Sequence, residues 1–220
     1  MSEQGAMGVS AYLDSLDPGN RPLLEEVRQE AVLGAVPVLR RETERLLKTL
    51  LVLKRPSFVL ELGTAVGYSA LVMRDTLPEA SHITTVESWA PRIAAARRNF
   101  SRAGCAAGIT LLEGDAGVLL PTLPREKFDF VFMDAAKGQY LNWLPHLLNC
   151  MRPGAVLLSD NVLQEGSLVL SRFAVDRRDR TIHTRMREYL YTLTHTPALE
   201  TSVLPCGDGV ALTVKKQEDL

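Results

Sequence analysis

Val59-Leu60-Glu61-Leu62-Gly63-Thr64-Ala65-Val66-Gly67-Tyr68-Ser69 has the pattern of a buried strand, a glycine-bearing turn and the start of a helix. Nucleotide cofactors commonly bind at such turns, because glycines allow close backbone approach and a helix start offers free N–H donors. The turn has two glycines, four residues apart, whereas the dinucleotide fingerprint G-x-G-x-x-G has three. The pattern therefore predicts a cofactor that contains ribose but no pyrophosphate.

An acidic residue follows this turn at the spacing expected of a ribose ligand. Glu87 ends the predicted strand His82–Glu87, and an acid about 20 residues beyond a nucleotide-binding turn typically binds ribose hydroxyls. The turn and Glu87 together predict a cofactor pocket.

Composition bounds the number of domains and the class of partner. The chain has 220 residues, 46% hydrophobic and 23% charged, which is ordinary for one compact α/β domain. We expect residues 1–21 to form a loosely ordered segment with a short helix near Tyr12, and residues 22–220 to form a single domain. The net charge of −1 and pI of about 6.4 exclude a surface that binds polyanions everywhere, so any nucleic-acid site must be regional.

Cysteine usage and hydropathy indicate the compartment. Cys105, Cys150 and Cys206 are widely spaced and lack metal-ligand spacing, so we expect reduced thiols. No stretch approaches the ~20 apolar residues of a membrane span, and the N-terminus has no basic region followed by an apolar core. We therefore expect a soluble cytoplasmic protein without membrane attachment.

Strand and helix patterns alternate after Pro56, and two helical patterns precede them, Pro22–Leu33 and one beginning at Arg41. The predicted strands are Phe58–Leu62, His82–Glu87, Thr110–Glu113, Phe128–Met133, Ala155–Ser159, Leu199–Leu204 and Val210–Lys215. The predicted helices are Tyr68–Thr76, Ala90–Arg102, Ala116–Leu120, Tyr140–Met151 and one within 165–194. This order predicts an α/β fold with a seven-stranded, mostly parallel sheet, helices on both faces and an antiparallel C-terminal hairpin.

Polar residues follow two of the predicted strands directly. Asp134 follows Phe128–Met133, and Asp160 with Asn161 follows Ala155–Ser159. If these strands are neighbours, two carboxylates and an amide converge, which suits a hard cation such as Mg²⁺, with Mn²⁺ or Ca²⁺ as substitutes. The alternative is structural: Asp134 caps the next helix, and the other two form a polar turn.

Lys137 lies three residues beyond Asp134. A lysine beside a cation and a substrate hydroxyl could accept the proton or stabilise the resulting anion. An isolated loop lysine is, alternatively, a solvated surface group.

Several motifs in their order along the chain resemble the cation-dependent O-methyltransferases, the family of catechol and caffeoyl-coenzyme A O-methyltransferases and many bacterial relatives. The resemblance covers roughly residues 35–215. The motifs that carry it are Leu60–Thr64, Gly67–Ser69, Glu87, Gly114–Ala116, Asp134–Lys137, Tyr140 and Ser159–Leu163.

The resemblance implies a Rossmann-like class I methyltransferase fold with S-adenosylmethionine (SAM) as methyl donor. It places Glu61, Gly63 and Ser69 at the methionine part of SAM, Glu87 at the ribose, Asp115 and Ala116 at the adenine, with Val38, Thr64, Tyr68 and Asp134 also lining the donor site. It implies Asp134, Asp160 and Asn161 as metal ligands and Lys137, with Asp134, as the catalytic pair. A homodimer is also implied.

One bacterial branch of that family methylates 5-hydroxyuridine at the tRNA wobble position to 5-methoxyuridine. The segments 36–43, 180–190 and 205–209 resemble this branch. The resemblance makes tRNA the expected partner, and the candidate RNA contacts are Arg40, Arg180, His183 and Arg185.

Charge placement supports a local RNA-binding surface. From Arg172 to Arg187 the chain has six arginines and two acids, and arginine pairs with phosphates and stacks on bases. The alternative is an exposed helix or ion pairs across a subunit interface. His183 is expected either to stack on a base or to cap a helix.

Three functions remain open from the sequence: a tRNA wobble-uridine O-methyltransferase, an O-methyltransferase of a small catechol-like phenol, and a non-catalytic RNA-binding protein that keeps the fold. The acidic set with Lys137 favours an enzyme, because a scaffold has no need to hold like charges together. A basic, open pocket rim would favour RNA, and a closed aromatic wall would favour a small phenol. Only 6% of the residues are aromatic.

Overall fold

The structure is a computed structural model that describes residues 3–217. Its helices are α1 Glu3–Ser15, α2 Pro22–Leu33, α3 Arg41–Lys54, α4 Tyr68–Thr76, α5 Ala90–Arg102, α6 Ala116–Leu119, α7 Tyr140–Cys150 and α8 Arg180–His195. Its strands are β1 Phe58–Leu62, β2 His82–Glu87, β3 Ile109–Glu113, β4 Phe128–Met133, β5 Met151–Ser159, β6 Leu199–Leu204 and β7 Val210–Lys215. Among these residues, no helix is both long and apolar enough to cross a membrane.

The strands form one seven-stranded sheet in the order β3-β2-β1-β4-β5-β7-β6. Strands β1 to β5 pair in parallel, and β7 pairs antiparallel with both β5 and β6. The predicted α/β fold, including its antiparallel C-terminal hairpin, is confirmed. Strand order reverses between β1 and β4, and in such sheets ligands bind beyond the carboxyl ends of the strands at this point.

The register of β1, β4 and β5 places the residues that follow these strands next to one another, at the carboxyl ends of the strands. Leu62 of β1 pairs with Met133 of β4, and Met133 pairs with Ser159 of β5. The residues that come next, Gly63, Asp134 and Asp160, therefore leave the sheet side by side.

Both faces of the sheet are covered, which explains why its central strands are apolar at almost every position. Leu60 and Met133 belong to the core on the face covered by α7 and α8. Val59 and Phe132 belong to the core on the other face, which α2, α3 and α4 cover. Successive side chains of a strand alternate between faces, so each central strand contributes to both cores.

The elements differ from the predicted ones mainly at their ends. Strand β5 begins at Met151, because this residue still pairs with Phe128 across the ladder. The helix expected near Tyr12 extends over Glu3–Ser15, so this part of the N-terminal segment is helical. Residues 1–2 of the predicted N-terminal segment and residues 218–220 of the predicted domain lie outside the described residues.

Candidate active site

The glycine turn after β1 depends on both of its glycines. Gly63 has φ +97°, and a Cβ added there would lie 2.0 Å from the carbonyl oxygen of Asp134. Gly67 has φ +86°, and an added Cβ would lie 2.6 Å from Cε1 of Phe100. Only glycine adopts this backbone conformation without strain and leaves room for these neighbours.

A cavity of about 610 Å³ opens beyond this turn, within the size range of small-molecule sites. It is lined by most of the residues predicted for the donor site, namely Val38, Gly63, Thr64, Tyr68, Ser69, Glu87, Asp115, Ala116 and Asp134, and also by Lys137 and Asn161. The structure thus brings most of the predicted donor residues to one cavity together with Asp134, Asn161 and Lys137, whereas Glu61 and Asp160 do not line it. Trp143 and Arg92 line it too, although no sequence motif marked either residue.

Glu61 lies in β1, two residues before Gly63, and is fully buried. Thr85 donates a hydrogen bond to its Oε2, whereas Oε1 has no partner. Burial raises the pKa of Glu61 to about 7, although hydrogen bonds from Ser69 and Thr85 oppose the rise. An unpaired buried oxygen is costly, and the ammonium group of SAM is a donor that would satisfy it. The site therefore fits SAM at its methionine end.

Glu87 is held rigidly by backbone donors. Its Oε2 accepts a hydrogen bond from the N–H of Ala65 at 2.9 Å, and its Oε1 accepts from the N–H groups of Ser88 and Trp89, each at 2.9 Å. Oε2 retains capacity for a further donor. This geometry fits a ribose hydroxyl and also ties the glycine turn to the end of β2.

Two of the predicted donor-site residues have additional structural roles. Asp115 is the N-cap of α6, because its Oδ1 accepts a hydrogen bond from the N–H of Gly117 at 2.8 Å. Tyr68 lines the cavity, but its hydroxyl donates to Oε2 of the buried Glu44 at 2.7 Å. The hydroxyl of Tyr68 is therefore engaged by Glu44, and its ring is the part available to contact a ligand in the cavity.

Asp134 and Asp160 emerge from β4 and β5 next to each other. The N–H of Asp134 donates to the carbonyl of Leu62 at 3.0 Å, and the N–H of Asp160 donates to that of Met133 at 2.9 Å. The buried hydroxyl of Tyr140 contacts the backbone at the ends of these two strands. It accepts a hydrogen bond from the N–H of Ala135, and its oxygen lies 3.1 Å and 3.3 Å from the carbonyl oxygens of Met133 and Asp160, to which it can donate.

The structure separates the two interpretations of the acidic residues. The carboxylate of Asp134 makes no hydrogen bond with residues 3–217, and the following 3-10 turn, Lys137–Gln139, has Ala136 at its N-cap, so Asp134 is not a helix cap. Asp160 does form a local turn, because its Oδ1 accepts from the N–H of Asn161 at 2.8 Å. Thr43 Oγ1 lies 3.4 Å from the same oxygen.

The electrostatics of this acidic pair are unfavourable without a cation. Burial raises the pKa of Asp134 above its usual value. Burial also raises the pKa of Asp160 to about 7, and the negative charges of Asp134 and Asp208 add to this rise. A hard divalent cation would relieve this repulsion, and the donor set of two carboxylates and the Asn161 amide contains only oxygen ligands. The side chains therefore fit such an ion. Within the described part of the chain, no three His, Cys, Asp or Glu side chains form a metal-binding group; the third candidate ligand here is an amide.

Lys137 faces an acidic residue that the sequence analysis did not assign to the site. Its Nζ lies 3.7 Å from Oδ2 of Asp208, which is only 6% exposed. Asp208 belongs to the turn 205–209 between β6 and β7. The sequence of this hairpin turn carries no signal for a contact with Lys137, because that contact depends on the insertion of β7 beside β5.

Arg40 lies at the mouth of a neighbouring groove. The groove measures about 400 Å³ and is lined by Arg40, Leu163, Glu165, Gly166, Pro205, Gly207, Asp208 and Gly209. Arg40 Nη2 is 3.5 Å from Oε1 of Glu165, and both side chains are largely exposed. Asp208 of this groove lies 3.7 Å from Lys137 of the main cavity, and we therefore call the groove the acceptor-side groove.

The other residues predicted to contact RNA lie along α8. Arg185 Nη1 donates to the carbonyl of Gly138 at 2.9 Å, and Arg180 donates to the carbonyls of Val175 and Phe173. Both arginines therefore fasten loops beside the site.

The prediction for His183 was wrong. Its side chain is 1% exposed on the inner face of α8, and Nε2 lies 3.2 Å from the carbonyl oxygen of Leu170. A ring buried in this way does not stack on a base, and the N-cap of α8 is Asp179, so His183 is a core residue.

Comparison with known proteins agrees with this geometry. The model of the O-methyltransferase family matches residues 13–216. A catechol O-methyltransferase of Niastella koreensis is 35% identical over 114 residues, covering 50% of this chain but only about half (52%) of that protein. A caffeoyl-CoA O-methyltransferase of Zinnia elegans is 33% identical over 172 residues, covering 76% of this chain and 70% of that protein.

Solved structures with the same fold contain the donor or its product. The SAH-bound methyltransferase PaMTH1 of Podospora anserina superposes with a TM-score of 0.86 at 26% identity, covering 99% of this chain and 97% of that one. The SAM complex of the O-methyltransferase TomG from Streptomyces achromogenes gives a TM-score of 0.84 at 26% identity, covering 99% and 100%. The chain therefore belongs to the O-methyltransferase family of S-adenosylmethionine-dependent enzymes.

Proposed function

We propose that the protein transfers the methyl group of SAM to a hydroxyl of an acceptor that carries a second oxygen beside it, with a divalent cation bound by Asp134, Asp160 and Asn161. The observation that supports this most strongly is the position of two mutually repelling carboxylates close to Lys137: Asp160 is buried, and Asp134 is partly buried and lines the donor cavity. Mg²⁺ is the favoured ion, and Mn²⁺ or Ca²⁺ are possible substitutes.

The reaction needs a deprotonated or polarised acceptor oxygen aligned with the sulfonium of SAM. A divalent cation bound there would lower the pKa of the acceptor hydroxyl. Lys137 Nζ is positioned to accept the proton or to stabilise the anion. Glu61, Glu87 and the glycine turn would hold the donor in a fixed orientation, which would supply the effective concentration that an in-line displacement requires.

For the acceptor, we propose 5-hydroxyuridine at the wobble position of tRNA, whose 5-hydroxyl and 4-carbonyl are neighbouring oxygens. The acceptor-side groove supports a nucleic acid: Arg40 lies at its rim, and none of its described lining residues is aromatic. Arg172 and Arg177 are exposed, and they belong to the segment before α8 whose Phe173 carbonyl accepts a hydrogen bond from Arg180. A cytoplasmic location and a homodimer are part of this proposal; the location rests on cysteine usage and hydropathy, and the homodimer rests on the resemblance.

A small phenol is the second candidate acceptor. It is favoured by the names of the relatives, which are catechol and caffeoyl-CoA O-methyltransferases. A non-catalytic RNA-binding protein, the third function open from the sequence, is not proposed, because the chain belongs to a family of S-adenosylmethionine-dependent enzymes.

The experiment that separates these functions is an assay with tRNA as acceptor. Purified enzyme, SAM and Mg²⁺ are incubated with tRNA containing 5-hydroxyuridine, and nucleosides are analysed by mass spectrometry, with a catechol as parallel acceptor and EDTA as the metal control. We expect 5-methoxyuridine that disappears with EDTA and returns with added Mg²⁺. Turnover of the catechol alone would replace the tRNA proposal, and unchanged activity in EDTA would refute the metal.

A further inference from the structure

Asp208 makes two contacts, one with the amine of Lys137 and one with the backbone of Glu165 in the acceptor-side groove. Its Oδ2 lies 3.7 Å from Lys137 Nζ. Its Oδ1 accepts a hydrogen bond from the backbone N–H of Glu165, a residue of the acceptor-side groove. One nearly buried carboxylate thus contacts both the amine and the groove wall.

The backbone fixes the position of Asp208. Its two neighbours, Gly207 and Gly209, have φ +59° and +79°, and a Cβ on Gly209 would lie 2.2 Å from Cγ of Leu163. The turn is also hydrogen-bonded to the segment after β5, because Leu163 N–H donates to the carbonyl of Asp208 at 3.0 Å and Val162 N–H to that of Gly209 at 2.9 Å. Asp208 is therefore a rigid support, unlike the four-carbon side chain of Lys137.

We propose that Asp208 is a positioning residue for Lys137: it holds the amine at the acceptor side of the site, away from the carboxylates of Asp134 and Asp160. Both of those carboxylates feel the positive charge of Lys137, and a mobile ammonium would pair with them and block the cation. The carboxylate of Asp208 competes for the amine from the opposite side. This inference rests on the proposed role of Lys137 in methyl transfer.

Substitution of Asp208 by Asn separates this role from a purely structural one. Asn keeps an oxygen that can accept from the N–H of Glu165, but it lacks the charge that attracts Lys137. We expect Asp208→Asn to lower kcat by about 100-fold, the order of effect that a 1 Å misplacement of a reacting group produces, with KM for SAM unchanged. Asp208→Ala loses both contacts and should also raise KM for the acceptor. A merely structural role would leave Asp208→Asn close to wild type in kcat.

A matched control comes from the same hairpin. Glu200 forms an exposed ion pair with Lys216 at 3.1 Å, so Glu200→Gln removes a carboxylate from a lysine without touching the site. This variant should keep the wild-type kcat.

A second measurement does not depend on activity. Limited acetylation with acetic anhydride, followed by peptide mass spectrometry, compares the labelling rate of Lys137 with that of Lys127 in the same sample. Loss of the carboxylate partner in Asp208→Asn should raise the rate at Lys137 severalfold and leave Lys127 unchanged. Wild-type kcat in Asp208→Asn, or an unchanged labelling rate at Lys137, overturns the inference. If the wild-type enzyme methylates no acceptor, the proposed function fails separately, and the labelling experiment still decides whether Asp208 holds the amine.

Discussion

Asp160 donates its backbone N–H to the carbonyl of Met133 at 2.9 Å, so that its side chain leaves β5 beside Asp134, the residue after Met133. The pairing of β4 with β5 therefore brings Asp134 and Asp160, which are far apart in sequence, next to each other.

Replacing Asp160 should abolish methyl transfer but not donor binding. We expect Asp160→Ala to lower the transfer rate by more than about 100-fold, because a direct ligand matters more than the outer-shell partners whose loss costs 10–100-fold. Glu61 and Glu87, which would hold the donor, are unchanged in this variant. Isothermal titration calorimetry with SAH should therefore give an affinity close to wild type, and an active variant would contradict the assignment of Asp160 as a ligand.

Glu61 should make the stability of the cofactor-free protein depend on pH. Its pKa is raised from 4.5 to about 7 in the folded state, so below pH 4.5 both states are protonated and there is no penalty. As pH rises to about 7, the unfolded state ionises first and the free energy of unfolding falls. The loss should reach roughly 3 kcal/mol above pH 7, at 1.36 kcal/mol per pKa unit.

Urea unfolding at pH 5 and pH 8 measures this effect. Glu61→Gln cannot ionise, so relative to wild type it should gain stability between the two values, whereas the exposed Glu79→Gln should not. A parallel pH response in wild type and Glu61→Gln would show that the buried carboxyl carries no such penalty.

Gly67 should tolerate alanine poorly, and Gly104 provides a matched comparison. Both have left-handed φ angles, +86° and +64°, but an added Cβ meets Phe100 at 2.6 Å in the first case and nothing within 4 Å in the second. Gly104→Ala should cost about 1–2 kcal/mol from the backbone alone. Gly67→Ala should lose a further ~1–3 kcal/mol from overpacking.

Denaturant unfolding of the two variants gives the difference directly. Phe100→Leu should partly rescue Gly67→Ala, since a smaller side chain makes room for the new methyl group. Equal losses at the two glycines would mean that Phe100 moves aside without cost.

Two pairs of arginines in and before α8 should differ in the effect of their removal, because one pair is exposed and the other supports loops. Arg172 and Arg177 are exposed, whereas Arg180 and Arg185 donate to loop carbonyls. If tRNA is the acceptor, Arg172→Ala with Arg177→Ala should weaken tRNA binding and reduce the salt slope by about 0.7–0.9 for each lost phosphate contact, with little change in thermal stability.

The pair Arg180→Ala and Arg185→Ala should lower thermal stability as well as tRNA binding. Filter binding across a salt series and thermal unfolding distinguish the two pairs. If tRNA affinity is insensitive to all four arginines, the basic segment has only a structural role.

The local sequence determined the elements and the donor turn of this protein. The apolar runs of the strands, the glycines of the turn and the acids that follow β2, β4 and β5 are short-range patterns that can be recognised without knowledge of the rest of the chain, although the sequence left the acids after β4 and β5 with two interpretations. For the same reason the predicted sheet and its hairpin agree with the structure, apart from strand ends that depend on pairing, such as Met151 opposite Phe128.

Only the tertiary structure decided which distant residues share the site. Asp208 faces Lys137 because β7 inserts beside β5, and His183 is buried because of the face that α8 presents to the sheet. Arg185 lies against Gly138 for the same reason. Charge and residue type cannot show whether a side chain faces solvent, a carbonyl or a carboxylate, because that depends on how elements far apart in the chain pack together.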